Sequence, residues 1–268
     1  VNSTIRSMIA LPRLLVTLAF LFGAAFSFAP ASPPLHDRHA TITRSIPRTC
    51  STAVALSASG FDVDNPFNPF KNPEVKGDPA RLLSTRLRGC NLYLVGMMGS
   101  GKSAVGKALA SGMGYTFLDT DRILEQAAGV SIPQIFEEDG EVTFRKAETQ
   151  VLESVGSFER CLGSTGGGLV VREENWKTLR TGVVLYLNVA PTTIMTRIRG
   201  TDRPLLQTDN PLETLISLVE MRRERYERAD VVVNVKANMD VQMTADACVK
   251  ALHEFVDGNP PVIARLYR

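Results

Sequence analysis

Gly96 to Ser103 reads G-M-M-G-S-G-K-S, and no other segment limits the possible folds of this chain so narrowly. The pattern G-x-x-x-x-G-K-[ST] works where a strand hands over to a helix. Its glycines let successive backbone N–H groups wrap a phosphate chain, and the helix N-terminus adds its dipole. Both contexts are present. Cys90 to Gly96 (C-N-L-Y-L-V-G) is a short apolar run suited to a buried parallel strand. Lys102 to Met113 carries Val105, Leu109 and Met113 at helical spacing and stops at Gly112 and Gly114. The expected nucleotide contacts are Gly99, Ser100, Gly101, Lys102, Ser103 and Ala104. Lys102 reaches the β- and γ-phosphates of ATP, and the Ser103 hydroxyl is placed to ligate Mg²⁺. The segment establishes nucleotide binding but leaves the phosphoryl acceptor open.

The rest of the folded part repeats the alternation. Strands are expected at Thr116–Asp119, Arg160–Ser164, Gly182–Val189 and Asp230–Val235. Ser131 offers a helix N-cap with Pro133 in the first turn, opening a helical stretch to about Ser154 that breaks near Gly140. Pro191 opens another helix, and helical spacing recurs over Leu212–Arg228 and Val241–Val256. Strands alternating with helices imply an α/β fold with a central parallel sheet covered on both faces. No internal repeat is present.

Composition excludes other classes. The chain is 44% hydrophobic and 22% charged with net charge +2, which rules out collagenous, coiled-coil and wholly disordered chains. Residues 1–59 hold five Arg, no Lys and one acid, a net +4 that leaves −2 for the remainder. The body therefore has no bulk attraction for nucleic acid. Cys50, Cys90, Cys161 and Cys248 are separated by 40, 71 and 87 residues, with no C-x-x-C pair. Free thiols are expected, not a disulfide scaffold or a zinc site.

Residues 14–29 form an apolar run flanked by Arg6 and Arg13, the layout of a signal peptide. It falls short of the ~20 residues a membrane span needs. Residues 30–59 are rich in Ser, Thr, Ala and Arg, as transit peptides are. Together they resemble the bipartite presequence of algae with complex plastids, whose junction reads close to A-S-A-F-A-P; here Ala25 to Pro30 reads A-F-S-F-A-P. The resemblance implies import into the chloroplast stroma. Because the chain opens on Val1, its true start is expected upstream. Residues 60–82, with several prolines, read as a linker, which leaves 83–268 as the folded domain.

Four further segments bear on the acceptor. Asp119-Thr120-Asp121 ends the second strand, and Phe144-Arg145-Lys146-Ala147-Glu148 puts Arg145 and Glu148 one helical turn apart. Gly166-Gly167-Gly168 follows the third strand and leaves backbone open to close approach. Arg203-Pro204-Leu205-Leu206 lies between two helices, and Arg222 precedes Tyr226 by four residues. Taken singly, each has a plain structural explanation: a solvated ion pair, turn aspartates, a flexible glycine loop, a charged helix face.

With G-M-M-G-S-G-K-S, L-D-T-D, F-R-K-A-E, G-G-G, R-P-L-L and R-R-E-R-Y in this order, the chain resembles the shikimate kinases over about residues 90–256. The resemblance implies a P-loop kinase fold with a five-stranded parallel sheet, a mobile lid and a monomeric enzyme needing no membrane. It implies ATP and Mg²⁺ as cofactors and transfer of the γ-phosphoryl group to the 3-hydroxyl of shikimate. Arg145 and Arg222 then match the two carboxylate anchors, beside Gly166, Gly167 and Gly168. Asp121 matches the group that orients the hydroxyl and takes its proton, and Asp119 the acid that holds Mg²⁺ with Ser103. Lys102 and Arg203 match the cations that meet the transferring charge, Arg203 from the lid, and Arg197 the residue beside the adenine. Glu148 matches the acid that fixes Arg145. The family's helix commonly reads R-x-P-L-Y where this chain has R-R-E-R-Y, without the proline. The alternatives are another small-molecule P-loop kinase of gluconate type and a non-catalytic kinase-like binding protein.

Overall fold

The computed structural model describes residues 77–200 and 204–259. In chain order these form α1 (Pro79–Arg86), β1 (Leu92–Val95), α2 (Lys102–Met113), β2 (Thr116–Asp119), α3 (Thr120–Ala128) and α4 (Ile132–Gly156). There follow β3 (Cys161–Ser164), α5 (Asn175–Leu179), β4 (Val183–Val189), α6 (Pro191–Ile198), α7 (Pro211–Tyr226), β5 (Val231–Val235) and α8 (Val241–Gly258). Short 3₁₀ turns cover Leu169–Val171 and Pro204–Leu206.

The five strands form one parallel sheet in the order β2-β3-β1-β4-β5. β1 lies at its centre, with Leu92 registered against Leu162 on one side and Val183 on the other. Because side chains alternate across a strand, neighbouring residues of β1 face opposite layers. Leu94 packs with Leu162 and Phe117 under α2, whose Gly106 sits directly over them. Tyr93 points the other way, toward Val155 of α4. A strand covered on both faces must be apolar throughout, and every residue of β1 is buried. At the edge, β5 instead alternates buried Val231, Val233 and Val235 with exposed Val232 and Asn234. This is the parallel, two-faced α/β sheet that the alternation predicts.

Three helices were not legible. α1 begins at Pro79, so residues 79–82, read as the end of a linker, are helical. Asp78 caps it by accepting from the Ala80 amide at 3.0 Å, and Leu83 and Leu87 are buried. Its last turn is clasped to α8. Arg86 donates to Nδ1 of His253 at 2.8 Å and pairs with Asp257, while Nε2 of His253 bonds the Pro79 carbonyl at 2.9 Å. A carbonyl only accepts, so Nε2 is the donor in that bond. α3 starts directly after the last residue of β2, Asp119, with no connecting loop, and α5 has only five residues.

The break expected near Gly140 is present: φ 78° and ψ 167° at that residue interrupt α4. Ser131 caps the helix by accepting from the Gln134 amide. Among the described residues Cys90, Cys161 and Cys248 form no disulfide. The expected presequence (1–59), Cys50, most of the expected linker and Arg203 lie outside the described residues. Among the described residues no helix is long and apolar enough to cross a membrane.

Candidate active site

Ligands in an open parallel sheet sit beyond the carboxyl ends of the strands, and the candidate residues gather there. The loop from β1 to α2 takes left-handed backbone at Gly99 (φ 74°) and Gly101 (φ 97°), angles that side-chain-bearing residues rarely adopt. Gly101 is the N-cap of α2 and supplies no side-chain bond, so the first amides of α2 remain open to an anion. Lys102 is only 8% exposed and folds back over the loop, donating to the carbonyls of Gly96 (2.8 Å) and Met97 (2.9 Å). Phosphate oxygens are stronger partners for an ammonium than these neutral carbonyls. Ala104 is exposed in the first turn of α2. Arg197, expected beside the adenine, reaches this loop from α6 and donates to the Ser100 carbonyl at 3.2 Å.

The Ser103 hydroxyl donates to Oδ2 of Asp119 at 2.6 Å, while Oδ1 of the same carboxylate caps α3 at the amides of Asp121 and Arg122. A hydroxyl and a carboxylate side by side at the loop fit Mg²⁺, a hard cation that takes few protein ligands and completes its shell with water and phosphate oxygens. Among the described residues no cluster of three metal-ligating side chains occurs, so these two residues with a nucleotide are the fitting set.

Behind the loop lies a cavity of about 330 Å³, lined on its polar side by Asp121, Glu125, Arg145, Glu148, Arg222 and the loop Gly166–Gly168. Met98, Ile132, Pro133, Phe136, Phe144 and Leu205 form an apolar wall. The size suits a small molecule. Arg145 is held by two acids of its own helix: Nη1 donates to Oε2 of Glu148 at 2.6 Å, and Nε and Nη2 donate to Glu141 at 3.3 and 3.1 Å. Its guanidinium lies on Gly168, where any Cβ would fall 2.4 Å from Nη1. Only glycine permits that approach.

Glu148 is 1% exposed, and burial, reinforced by the nearby Asp121 charge, pushes its carboxyl up to about 7 against the pull of Arg145. Arg222, 6% exposed, donates from Nη1 to the Gly167 carbonyl at 3.2 Å. The charged run around it divides as a helix face requires: Arg222 is buried, Arg223 and Glu224 are exposed, and Arg225 is half-buried.

The structure thus brings together Asp121, Arg145, Gly166–Gly168 and Arg222 in one cavity, with Lys102, Ser103 and Asp119 on the adjoining loop. Phe136 and Met98 were not singled out in the sequence. The available signal for Phe136 was the break at Gly140: the kink sets its ring 4.6 Å from that of Phe144 across the cavity wall.

The model of the shikimate kinase family matches residues 98–253. The shikimate kinase of Synechococcus elongatus is 47% identical over 171 residues, 63% of this chain and 90% of that protein. That of Parasynechococcus marenigrum is 49% identical over 158 residues, 58% of this chain and 83% of that one. Among solved structures, a shikimate kinase from Acinetobacter baumannii in complex with shikimate superposes with a TM-score of 0.61 at 35% identity, covering 66% of this chain and 99% of that one. The shikimate kinase from Aquifex aeolicus gives 0.54 at 32% identity, covering 63% and 99%.

Proposed function

We propose a residue-level mechanism for this chain, which belongs to the shikimate kinase family: it transfers the γ-phosphoryl group of ATP to the 3-hydroxyl of shikimate, giving 3-phosphoshikimate and ADP. The observation that carries the reading is the convergence of Asp121 and two guanidinium groups, Arg145 and Arg222, on a cavity walled by the phosphate loop itself through Met98; of the other two acids that line it, Glu148 is paired with Arg145 and Glu125 accepts from the Ile132 amide. A small ring carboxylate needs planar cations, and Arg pairs with carboxylate bidentately. Arg145 and Arg222 bind that carboxylate, which leaves the ring hydroxyls facing Asp121. Asp121 orients the 3-hydroxyl and accepts its proton as the oxygen attacks the γ-phosphorus. The bond to the β,γ-bridging oxygen breaks, and ADP departs with that oxygen.

The transition state is loose, so positioning and charge dominate over proton removal. Lys102 and the open amides of α2 hold the phosphates, and Arg197 steadies the loop at Ser100. Ser103 and Asp119 would hold Mg²⁺, which when bound offsets phosphate charge. Arg203 is assigned to the lid, closing over the transferring group. A monomer is the working unit in this reading.

Import into the plastid stroma is part of the same reading. It is supported by the signal-like and transit-like composition of residues 1–59 and by the likeness of the catalytic domain to cyanobacterial proteins. Coupled ADP release, measured with shikimate, gluconate and nucleoside monophosphates in turn, tests the function. Turnover with shikimate alone is expected. Turnover with gluconate instead, or with no acceptor, would replace this reading with one of the alternatives.

A further inference from the structure

Four polar side chains of the acceptor cavity lie against one short loop, Gly166–Gly168: Asp121 and Glu148 at Gly166, Arg222 at Gly167 and Arg145 at Gly168. That loop is also held by a side chain that does not line the cavity. Tyr226, fully buried at the end of α7, donates its hydroxyl to the Gly167 carbonyl at 2.5 Å. Arg222, one turn earlier, donates to the same oxygen at 3.2 Å. A carbonyl has two lone pairs, and here both are taken by side chains of a single helix. The opposite side of Gly167 is pressed against the phosphate loop, where a Cβ would meet the Met98 amide nitrogen at 2.9 Å. Gly168, the next residue, is the platform under the guanidinium of Arg145.

Moving Gly167 therefore moves both arginines. The phenol ring is itself fixed, stacked on Tyr186 of β4 with centroids 4.9 Å apart and planes 10° from parallel. Burial also pushes the phenol up to about 12, so it remains a neutral donor across the working range.

We infer that Tyr226 is a positioning residue for the acceptor: through the Gly167 carbonyl its hydroxyl sets the placement of Arg222 and Arg145, and so the affinity for the substrate carboxylate. The inference rests on the proposed assignment of those arginines to that carboxylate. Tyr226 does not line the cavity and touches no reacting atom.

The test is Tyr226→Phe in the full chain, which keeps the ring, its volume and the stack on Tyr186. Wild type is assayed first, with shikimate and ATP varied independently. Absence of shikimate-dependent turnover in wild type would overturn the proposed function, whatever the variant does. With wild type active, Tyr226→Phe is expected to raise the KM for shikimate about tenfold. The KM for ATP and kcat should each stay within about twofold. The rise should shrink when combined with Arg222→Lys, because both changes act through one carbonyl. A Tyr226→Phe enzyme that unfolds at the assay temperature assigns the hydroxyl to stability alone and overturns the inference. An unchanged KM for shikimate, or equal losses toward both substrates, does the same.

Discussion

Nη1 of Arg145 stands 2.6 Å from Oε2 of Glu148, three residues along the same helix, and the carboxylate of that pair is almost wholly out of water. An exposed helical pair of this spacing contributes little. Here the acid is buried, so its role is to hold the guanidinium flat on Gly168, aimed into the cavity. This has a measurable cost. The folded protein raises the Glu148 carboxyl from its ordinary range to about 7, so between about pH 4.5 and 7 the folded state binds more protons than the unfolded chain. Stability from this group is highest at low pH and is lost as pH rises through 7, by up to ~3 kcal/mol. Glu148→Gln removes the titration. Urea unfolding at pH 5, 6, 7 and 8 should show the variant gaining on wild type as pH rises. Parallel curves would place the ionisation elsewhere.

Removing either anchor should separate acceptor binding from nucleotide binding. Arg222→Ala deletes a charged contact of the kind worth ~2–4 kcal/mol when desolvated, a KM rise for shikimate of about 30- to 1000-fold. Arg145→Ala would also strand the buried Glu148, so Arg145→Lys is the cleaner change. It keeps the charge but loses the planar fork, and should raise the same KM at least about tenfold. Nucleotide affinity, read by fluorescent ADP displacement, should remain near wild type in both. Lost ADP binding with intact shikimate binding would contradict the placement of the arginine concerned.

The two aspartates flanking Thr120 should fail differently. Asp119 shares Oδ2 with the Ser103 hydroxyl, whereas Asp121 faces the cavity. Asp121→Asn keeps the shape but cannot take a proton at neutral pH, and kcat should fall at least ~10²-fold at any Mg²⁺ concentration. Asp119→Asn weakens the metal site, so raising Mg²⁺ should restore part of its rate. A Mg²⁺ titration of kcat for both variants distinguishes them. Equal rescue, or near-normal kcat for Asp121→Asn, would contradict the assigned roles.

The N-terminal boundary is also testable. Leu83 and Leu87 are buried under α2 and α8, and Arg86 clasps His253 and Asp257. A chain beginning at residue 77 should keep the thermal midpoint of the full protein. One beginning at residue 88 loses both leucines, about 1.5–3 kcal/mol each, together with the clasp. Its midpoint should fall well below that of the longer form in calorimetry. Equal midpoints would show that α1 adds nothing to the domain.

Much of this architecture is legible in residue order, for physical reasons that differ by element. The phosphate loop is the clearest case, because few residues other than glycine tolerate the angles at Gly99 and Gly101, and Lys102 folds back on the carbonyls of Gly96 and Met97. β1 announces itself by an unbroken apolar run and β4 by one broken only at the exposed Asn188, the consequence of burial on two faces. α3 escaped because β2 passes into it without a loop, so Asp119 reads as a turn residue when it is also a helix cap. α1 escaped because Asp78-Pro79, taken as linker punctuation, is equally a cap and first turn. Arg145 and Glu148 could be paired from spacing alone, but their burial could not: it comes from Asp121 of α3, the Gly166–Gly168 loop and Arg222 of α7 closing around them. Tyr226 gave no signal of its bond to Gly167, which lies 59 residues away in the chain.

The central claim is the identity of the acceptor atom, and phosphorus NMR of the reaction mixture tests it most directly. With ATP, Mg²⁺ and shikimate, the full chain should yield ADP and one new phosphomonoester signal coupled to the proton on carbon 3 of the ring. Over the same initial-rate interval that signal should be at least ~10²-fold weaker when Asp121→Asn replaces the native protein. A phosphorus signal coupled to a different ring proton, or ADP and inorganic phosphate with no ester at all, would contradict the account.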